Sequence, residues 1–351
     1  MKVICYMPTS GKYWFGILVL LLLSISGQGC NNDQLVSPIN PQDTATTSDR
    51  YEWKMIRRYP DPSRLYNIRM FSDNEIWFAG EEFHNDTARL QDGYYGMLCL
   101  KNDSMSYYEI KSREFPGTFS IGDVKKFDNG HVYGVYEGHF AITQNGVVTK
   151  LVNIDSVLGN NIAGNEMNMY LFKYGYYWVY NGETFKRVDF NDRKIVTAVY
   201  DGGGTIYATL VDYSNNQEPI SVLIIENGIW RIWTGMPWKD RNSGIYPDNR
   251  GTVYFCGGPQ LGKYSNGVFG DAMPKQKSIL GDVHGTAWNN VWTVGTNGTV
   301  LHYNGKAWVD LTKEMNFPMQ HFYRVRCTEN TVCALGWSSS DVGILIGKRI
   351  R

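Results

Sequence analysis

The chain has 351 residues, with 34 Lys and Arg balanced by 34 Asp and Glu, 14% aromatic residues and 37 glycines. This balance excludes the strongly basic surface typical of nucleic-acid-binding proteins. Many aromatic residues together with many glycines are typical of short strands joined by tight turns.

The N-terminal segment, residues 1–30, has the organisation of an export signal. Lys2 and Lys12 precede an uncharged run, WFGILVLLLLSI, and small residues then lead to Cys30. The run is shorter than the about 20 residues that a membrane-spanning helix needs. SISGQGC resembles the lipobox of bacterial lipoproteins, which implies cleavage before Cys30 and acylation of that cysteine. An ordinary signal peptide with an incidental cysteine is the alternative.

Residues 31–50 are polar, contain prolines and lack aromatic residues. This composition predicts a flexible tether. We therefore expect an exported protein that is lipid-anchored in a bacterial cell envelope, at the outer membrane, with its folded domain in residues 51–351.

A turn motif recurs along this domain at intervals of 36–46 residues, each time after a strand-like run. The motif is Asn-Gly, which favours a two-residue hairpin turn because both central residues take positive φ there. The pairs begin at Asn145, Asn181, Asn227, Asn266 and Asn304, with Asn102-Asp103 in the same place earlier and Ile346-Gly347 later.

Each unit contains further strands around its turn. In TVLHYNGKAWVDL, residues 299–311, one strand precedes the turn and a compact strand follows it. Aromatic strands such as EIWFAG, HVYGVY and NVWTVG lie upstream in their units. Four strands in about 40 residues, repeated along the chain, are typical of a β-propeller. We predict an all-β fold, a seven-bladed β-propeller of four-stranded antiparallel blades.

A propeller ring must close. The strand-like segment Tyr51–Tyr59 has its Trp near the start, as the outer strand KAWVDL has. We predict that it pairs with the C-terminal blade and closes the ring as an N-terminal outer strand, which removes open edges. The alternative is that Lys348–Arg351 forms that outer strand itself.

The repeats also resemble a known family. PDNRGTVYFCGGPQLGKYSNG and DGGGTIYATL resemble the propeller repeats of the two-component-regulator type. NNVWTVGTNGTVLHYNGKAW is similar to repeats of extracytoplasmic propeller lipoproteins. The resemblance covers residues 51–351 and implies an architecture, without implying an activity.

Two cysteines flank a predicted turn. Cys327 and Cys333 enclose TENTV. If the hairpin register places them opposite each other, a disulfide forms in an oxidising compartment, and otherwise they remain thiols. No Cys or His spacing predicts a metal site, and no motif predicts a cofactor.

The longest predicted loops lie on one face, where the second and third strands of a blade and successive blades connect. Long loops on a rigid scaffold commonly carry function. Aromatic residues there suit a sugar or a protein partner, and polar neighbours supply hydrogen bonds. The alternative is that the aromatic residues only fill the junctions between blades. The candidate binding residues are Phe83, His84, Phe115, Trp233, Trp238, Arg241, Phe317 and Trp337. Further polar neighbours are Glu81, Glu82, Lys239, Asp240 and His321.

We expect a non-catalytic recognition or scaffold module whose partner is an envelope or secreted protein, or a glycan. No nucleophile elbow, phosphate-binding loop or dinucleotide fingerprint occurs in the sequence. Two alternatives remain open. One is a carbohydrate-active lyase or hydrolase with acids gathered at the central channel, and the other is a structural subunit of an outer-membrane complex.

Overall fold

A computed structural model provides the fold of the chain. It describes residues 4–5, 50–58, 64–81, 94–111, 121–126, 131–136, 139–144, 147–153, 161–165, 167–173, 175–190, 194–202, 204–212, 220–236, 244–312, 319–338 and 342–350. The predicted lipidation residue Cys30 and the predicted tether, apart from Arg50, lie outside these ranges, so both stay predictions.

The described residues form antiparallel sheets, labelled A to G in chain order, with each sheet's inner strand first. Sheet A has β3 (Arg64–Ser72), β4 (Glu75–Glu81), β5 (Tyr94–Lys101) and β6 (Ser104–Lys111). Sheet B has β7 (Ile121–Lys126), β8 (His131–Tyr136), β9 (His139–Gln144) and β10 (Val147–Asn153). Sheet C has β11 (Ile162–Gly164), β12 (Met169–Phe172), β13 (Tyr176–Tyr180) and β14 (Phe185–Asp189).

The chain continues through the other sheets. Sheet D has β15 (Ile195–Gly202), β16 (Thr205–Val211), β17 (Ser221–Glu226) and β18 (Ile229–Trp233), to which β1 (Ile4–Cys5) adds. Sheet E has β19 (Gly244–Pro247), β20 (Val253–Gly257), β21 (Gln260–Ser265) and β22 (Val268–Asp271). Sheet F has β23 (Leu280–Ala287), β24 (Asn290–Gly295), β25 (Val300–Tyr303) and β26 (Trp308–Asp310). Sheet G has β27 (His321–Cys327), β28 (Thr331–Trp337), β29 (Val342–Ile350) and the N-terminal β2 (Arg50–Arg58).

The all-β propeller prediction is correct in its architecture, and the predicted number of blades is wrong. Within the described ranges there are six four-stranded blades, sheets A, B, C, E, F and G, rather than seven. Sheet D has five strands, because Ile4–Cys5 pairs antiparallel with the outer edge of β18, at Ile232 and Arg231. The turn spacing could not indicate this addition, since an open sheet edge accepts an extended segment from anywhere in the chain.

The sheets stand in a closed ring. The inner strand of each sheet contacts the inner strands of both neighbouring sheets, and β27 contacts β3. The hydrophobic core lies between adjacent sheets. One cluster joins sheets C and D, for example, through Tyr177, Ile206 and Leu223. The central channel is therefore bordered by inner strands, whose polar residues face each other across sheet boundaries.

The predicted closure is confirmed. Strand β2 pairs antiparallel with β29 over its whole length, from Arg50 opposite Ile350 to Arg58 opposite Val342. Ile346 and Gly347, predicted as a turn, lie inside β29 instead, and Gly347 faces Trp53. The last unit lacks the hairpin turn because its outer strand comes from the other end of the chain. A Cβ at Gly347 would collide with the Trp53 ring, so this position requires glycine.

The predicted hairpin turns differ in detail. Asn227-Gly228 and Asn266-Gly267 take positive φ at both residues, as predicted. Asn181 and Asn304 do not. Their side chains accept backbone hydrogen bonds from residues two and three positions later, at 2.8–3.1 Å. An Asn side chain can close a turn in this way without left-handed backbone of its own.

Candidate functional site

A polar belt lines the channel. In sheets A, B and F the inner strand contains a β-bulge, and the next polar residue is buried at the channel wall: Asn67, Asp123 and Asp282. Each side chain accepts a hydrogen bond from the following backbone amide, at 2.9–3.0 Å. The sequence analysis missed these residues, although the recurring pair of a polar residue and a β-branched residue (Asn-Ile, Asp-Val, Asp-Val) was a signal for them.

The two buried acids also join neighbouring sheets. Asp123 Oδ2 accepts hydrogen bonds from the Ile162 amide of sheet C, at 2.9 Å, and from the Arg69 guanidinium of sheet A. Asp282 Oδ2 accepts from the Val325 amide of sheet G at 3.1 Å and from Arg326 Nη1 at 2.6 Å. These carboxylates are thus bound to cations and amides of adjacent sheets, which is a structural role.

His284 and Cys327 meet at the boundary of sheets F and G. The Cys327 amide donates to His284 Nδ1 at 3.2 Å, and the Cys327 Sγ lies 3.3 Å from the same nitrogen. Burial, with Arg326 and Arg69 nearby, holds the pKa of His284 well below its ordinary value. The imidazole is therefore neutral and acts as an acceptor. Burial also raises the pKa of Cys327, so its thiol is not activated.

This histidine predicts a pH dependence of stability. Below about pH 6.5 the histidine is protonated in the unfolded chain but stays neutral in the folded protein, because its folded pKa is lower. The contribution of His284 to the free energy of unfolding is therefore complete above about pH 6.5 and is lost as the pH falls towards the folded pKa. The pKa of His321 is also lowered by burial and adds in the same direction. His284→Asn keeps an acceptor near the Cys327 amide but removes the titrating group. We expect it to reduce the slope of the free energy of unfolding against pH, below about pH 6.5, by up to about 1.4 kcal/mol per pH unit. Urea unfolding at a series of pH values measures this, and a slope identical to that of the unchanged protein would contradict it.

The two cysteines of the C-terminal hairpin are free thiols, which is one of the two alternatives that the sequence left open. The register pairs Cys327 with Val332 and Cys333 with Arg326, so the cysteines are one position out of register. Neighbouring positions on a strand point to opposite faces of the sheet. Accordingly, Cys327 packs between sheets F and G, and Cys333 packs between sheets G and A.

A patch with two exposed residues, Ile279 and Trp337, and two half-buried ones, Thr296 and His321, lies on the predicted loop-rich face, and we call it the rim patch. Trp337 ends β28 and is 45% exposed, and Ile279 precedes β23 and is 49% exposed. Thr296 Oγ1 accepts from the Ile279 amide at 2.9 Å, and Thr296 forms a β-bridge with His321. His321 is opposite Trp337 in the sheet, with 6.0 Å between the ring centroids.

The other predicted binding residues have different outcomes. Trp233 is half-buried between sheets D and E, with its ring centroid 4.2 Å from that of Tyr264 and 6.4 Å from that of Phe269. It fills a junction, which is the alternative that the sequence left open. The remaining predicted residues lie outside the described ranges and stay predictions: Phe83, His84, Phe115, Trp238, Arg241 and Phe317.

A cleft opens on the opposite face, between sheets C and D, with a volume of about 760 Å³. The sequence analysis did not predict it, because its wall residues come from three separate turns. Its floor holds an ion pair between Lys125 of sheet B and Asp201 of sheet D. The side chains of this pair are 18% and 13% exposed. The cleft is lined by Lys125, Gly164, Asn165, Asn168, Tyr170, Asp201, Gly204, Ile206, Ile225, Asn227 and Gly228.

Two searches of the described residues bear on the class of site. No group of three or more His, Cys, Asp or Glu side chains in these ranges could hold a metal ion. No helix in the described part of the chain is long and apolar enough to cross a membrane.

Comparison with known proteins identifies the fold. Neither a protein-family model nor a curated protein matches the chain by sequence. Among solved structures, YCF48 bound to D1 peptide matches with a TM-score of 0.64 and 13% identity, over 85% of this chain and 95% of that one. YCF48 from Cyanidioschyzon merolae matches with a TM-score of 0.59 and 14% identity, over 85% and 98% of the two chains.

A third similar structure is PorZ, a bacterial surface component of the type-IX secretion system of Porphyromonas gingivalis. It matches with a TM-score of 0.59 and 10% identity, over 81% of this chain and 46% of PorZ. At such identities the similarity shows the propeller fold alone. The resemblance to repeats of the two-component-regulator type stays a prediction.

Proposed function

We propose that this chain is a non-catalytic recognition module that binds a protein partner through the rim patch. The observation that carries the proposal is that Trp337, 45% exposed, and Ile279, 49% exposed, lie on the face for which the sequence predicts the longest connections. A half-exposed indole can bury a large apolar area and still donate a hydrogen bond, and Trp is enriched among the residues that dominate binding energy.

The surroundings of Trp337 favour a preformed site. Its main-chain oxygen accepts from the Gln320 amide at 3.2 Å, and the Gln320 oxygen accepts from the Asn297 amide at 2.7 Å. The first bond holds Trp337 within sheet G and the second links sheets F and G, so little ordering is needed on binding. His321 Nδ1 is buried and has no hydrogen-bond partner among the described residues.

The similar structures support a protein partner. YCF48 is described with a D1 peptide, and PorZ as an essential component of a secretion system. The channel acids give the enzymatic alternative little support, because Asp123 and Asp282 are bonded to arginines and amides of neighbouring sheets. A glycosidase instead needs two carboxyl groups that are available to a substrate across the scissile bond.

Site-specific photo-crosslinking in cells tests the proposal. A crosslinking amino acid at Ile279 should capture one protein partner, because that side chain is 49% exposed within the rim patch. The control position is Val309, which is 37% exposed on the outer strand of sheet F. Capture of the same protein at both positions, or at neither, would contradict the proposal. A fixed-stoichiometry complex that persists without the rim patch would favour a structural subunit instead.

We also propose export and lipid anchoring at the outer membrane through Cys30. The support is the charged, apolar and small-residue organisation of residues 1–30. Cleavage before Cys30 would remove Ile4–Cys5, so the mature protein would lack the strand that this segment adds to sheet D. Cys30→Ala is expected to move the protein from the membrane fraction to the soluble envelope fraction and to remove the mass of the attached lipid from the mature N-terminal peptide. Unchanged fractionation and an unmodified Cys30 in the original protein would contradict this proposal.

A further inference from the structure

We propose that the cleft between sheets C and D binds a neutral saccharide unit. This site lies on the face opposite the rim patch and goes beyond the proposed function. Its volume of about 760 Å³ is within the range of sites that bind small molecules, roughly 300–1,000 Å³.

On the same face, side chains join the turns of sheets A and G and those of sheets E and F. Asp73, in the first turn of sheet A, accepts hydrogen bonds from Thr328 and from Asn330 Nδ2 of sheet G. The Arg250 guanidinium of sheet E lies 3.6 Å from the Trp288 ring of sheet F. Between sheets C and D, the corresponding turns instead form the walls of the cleft, so the opening belongs to this junction.

The floor of the cleft supplies both a donor and an acceptor without net charge. Asp201 Oδ2 accepts from the Lys125 ammonium and, at 2.8 Å, from the Gly164 amide. The other oxygen, Oδ1, has no hydrogen bond with the described residues, although Asp201 lines the cleft. Because the ion pair is internally neutralised, it favours hydroxyl groups over a charged ligand.

The walls add neutral hydrogen-bonding groups. The exposed side-chain amides of Asn168 and Asn227 line the cleft and make no side-chain hydrogen bonds within the described part of the chain. Each amide offers both donors and an acceptor, which matches adjacent hydroxyl groups of a sugar. Ile206 and Ile225 also border the cleft, and both belong to the core between sheets C and D that holds its walls in place. A peptide strand is less suited, since the walls are turns and present no open strand edge.

The chain offers a matched pair of variants for the test. Asn227 and Asn266 occupy equivalent Asn-Gly turns of sheets D and E, with φ of 52° and 51°, but only Asn227 lines the cleft. Glycine tolerates this backbone conformation, so Asn227→Gly and Asn266→Gly each remove a side-chain amide with little strain.

The experiment titrates the full chain with glucose, galactose, mannose and N-acetylglucosamine, observed by saturation-transfer NMR. At least one sugar should bind, and Asn227→Gly should weaken its binding about five- to tenfold, as expected for one lost hydrogen bond. Asn266→Gly and Trp337→Ala should leave it unchanged. No binding by any of these sugars, or equal loss in Asn227→Gly and Asn266→Gly, would overturn the inference. Trp337 lies on the other face, so the two proposals fail independently. Absence of sugar binding would not affect the proposal of protein binding through the rim patch, and absence of a protein partner would not affect the proposal of a saccharide site.

Discussion

Asp282→Ala is expected to lower the free energy of unfolding by about 3–5 kcal/mol, because it leaves the Arg326 guanidinium without its partner in a largely buried site. The carboxyl side chain is 3% exposed and that of Arg326 is 12% exposed. The change also removes the acceptor for the Val283 amide, at 3.0 Å, and for the Val325 amide, at 3.1 Å. Sheets F and G would lose the hydrogen bonds that Asp282 makes between them, while that between His284 and Cys327 would remain.

Denaturant unfolding measures the effect of Asp282→Ala, and a matched control exists. Asp189 pairs with Arg187 on the outer strand of sheet C, where both side chains are about half exposed. Asp189→Ala should cost no more than about 1 kcal/mol, since solvent screens such pairs. Asp282→Asn keeps the shape of the side chain and should fall between the two. Equal stability of the Asp282→Ala and Asp189→Ala proteins would show that the polar belt does not join the sheets.

Removal of residues 50–58 is expected to prevent stable ring formation, since β29 would lose its pairing with β2 from end to end. Because that deletion removes a whole strand, Trp53→Ala gives a graded test. Trp53 packs on the cluster between sheets F and G, with its ring centroid 6.2 Å from that of Trp292. We expect a loss of about 3 kcal/mol.

The control for Trp53→Ala lies on the same strand. Glu52 and Lys54 alternate with Trp53 and are exposed, so alanine at either position should change stability by less than about 0.5 kcal/mol. Thermal unfolding of the three variants distinguishes closure through packed side chains from a loosely attached strand. If the Trp53→Ala and Lys54→Ala proteins had the same melting temperature, closure by β2 would contribute little to the stability of the ring.

The propeller architecture could be predicted from the sequence because each unit carries its own local pattern. A turn such as Asn266-Gly267 depends on adjacent residues, and strand alternation has a short period. The closure by β2 was predictable for a related reason, since Trp53 repeats the outer-strand pattern. The addition of Ile4–Cys5 to sheet D could not be predicted, because pairing at the edge of a sheet does not depend on the local sequence pattern.

The cleft and the rim patch were harder to predict than the fold, because their residues come together only across the boundaries between sheets. Lys125 of sheet B and Asp201 of sheet D form an ion pair, and the Gly164 amide of the intervening sheet C donates to Asp201. Trp233 and Trp337 are both tryptophans at strand ends, yet one is packed against Tyr264 and the other is exposed. Composition and spacing do not distinguish them, because the difference lies in which neighbouring sheet covers the ring.

Recognition of a protein partner through the rim patch is tested most directly by the affinity of the crosslinked partner for two tryptophan variants. Trp337→Ala removes the indole of the rim patch, whereas Trp288→Ala removes a half-buried indole beside Arg250 on the opposite face. The proposed function predicts that Trp337→Ala weakens binding at least about tenfold, or roughly 1.4 kcal/mol, while Trp288→Ala leaves it unchanged. An unchanged affinity for Trp337→Ala, or an equal loss in both variants, would contradict recognition through the rim patch.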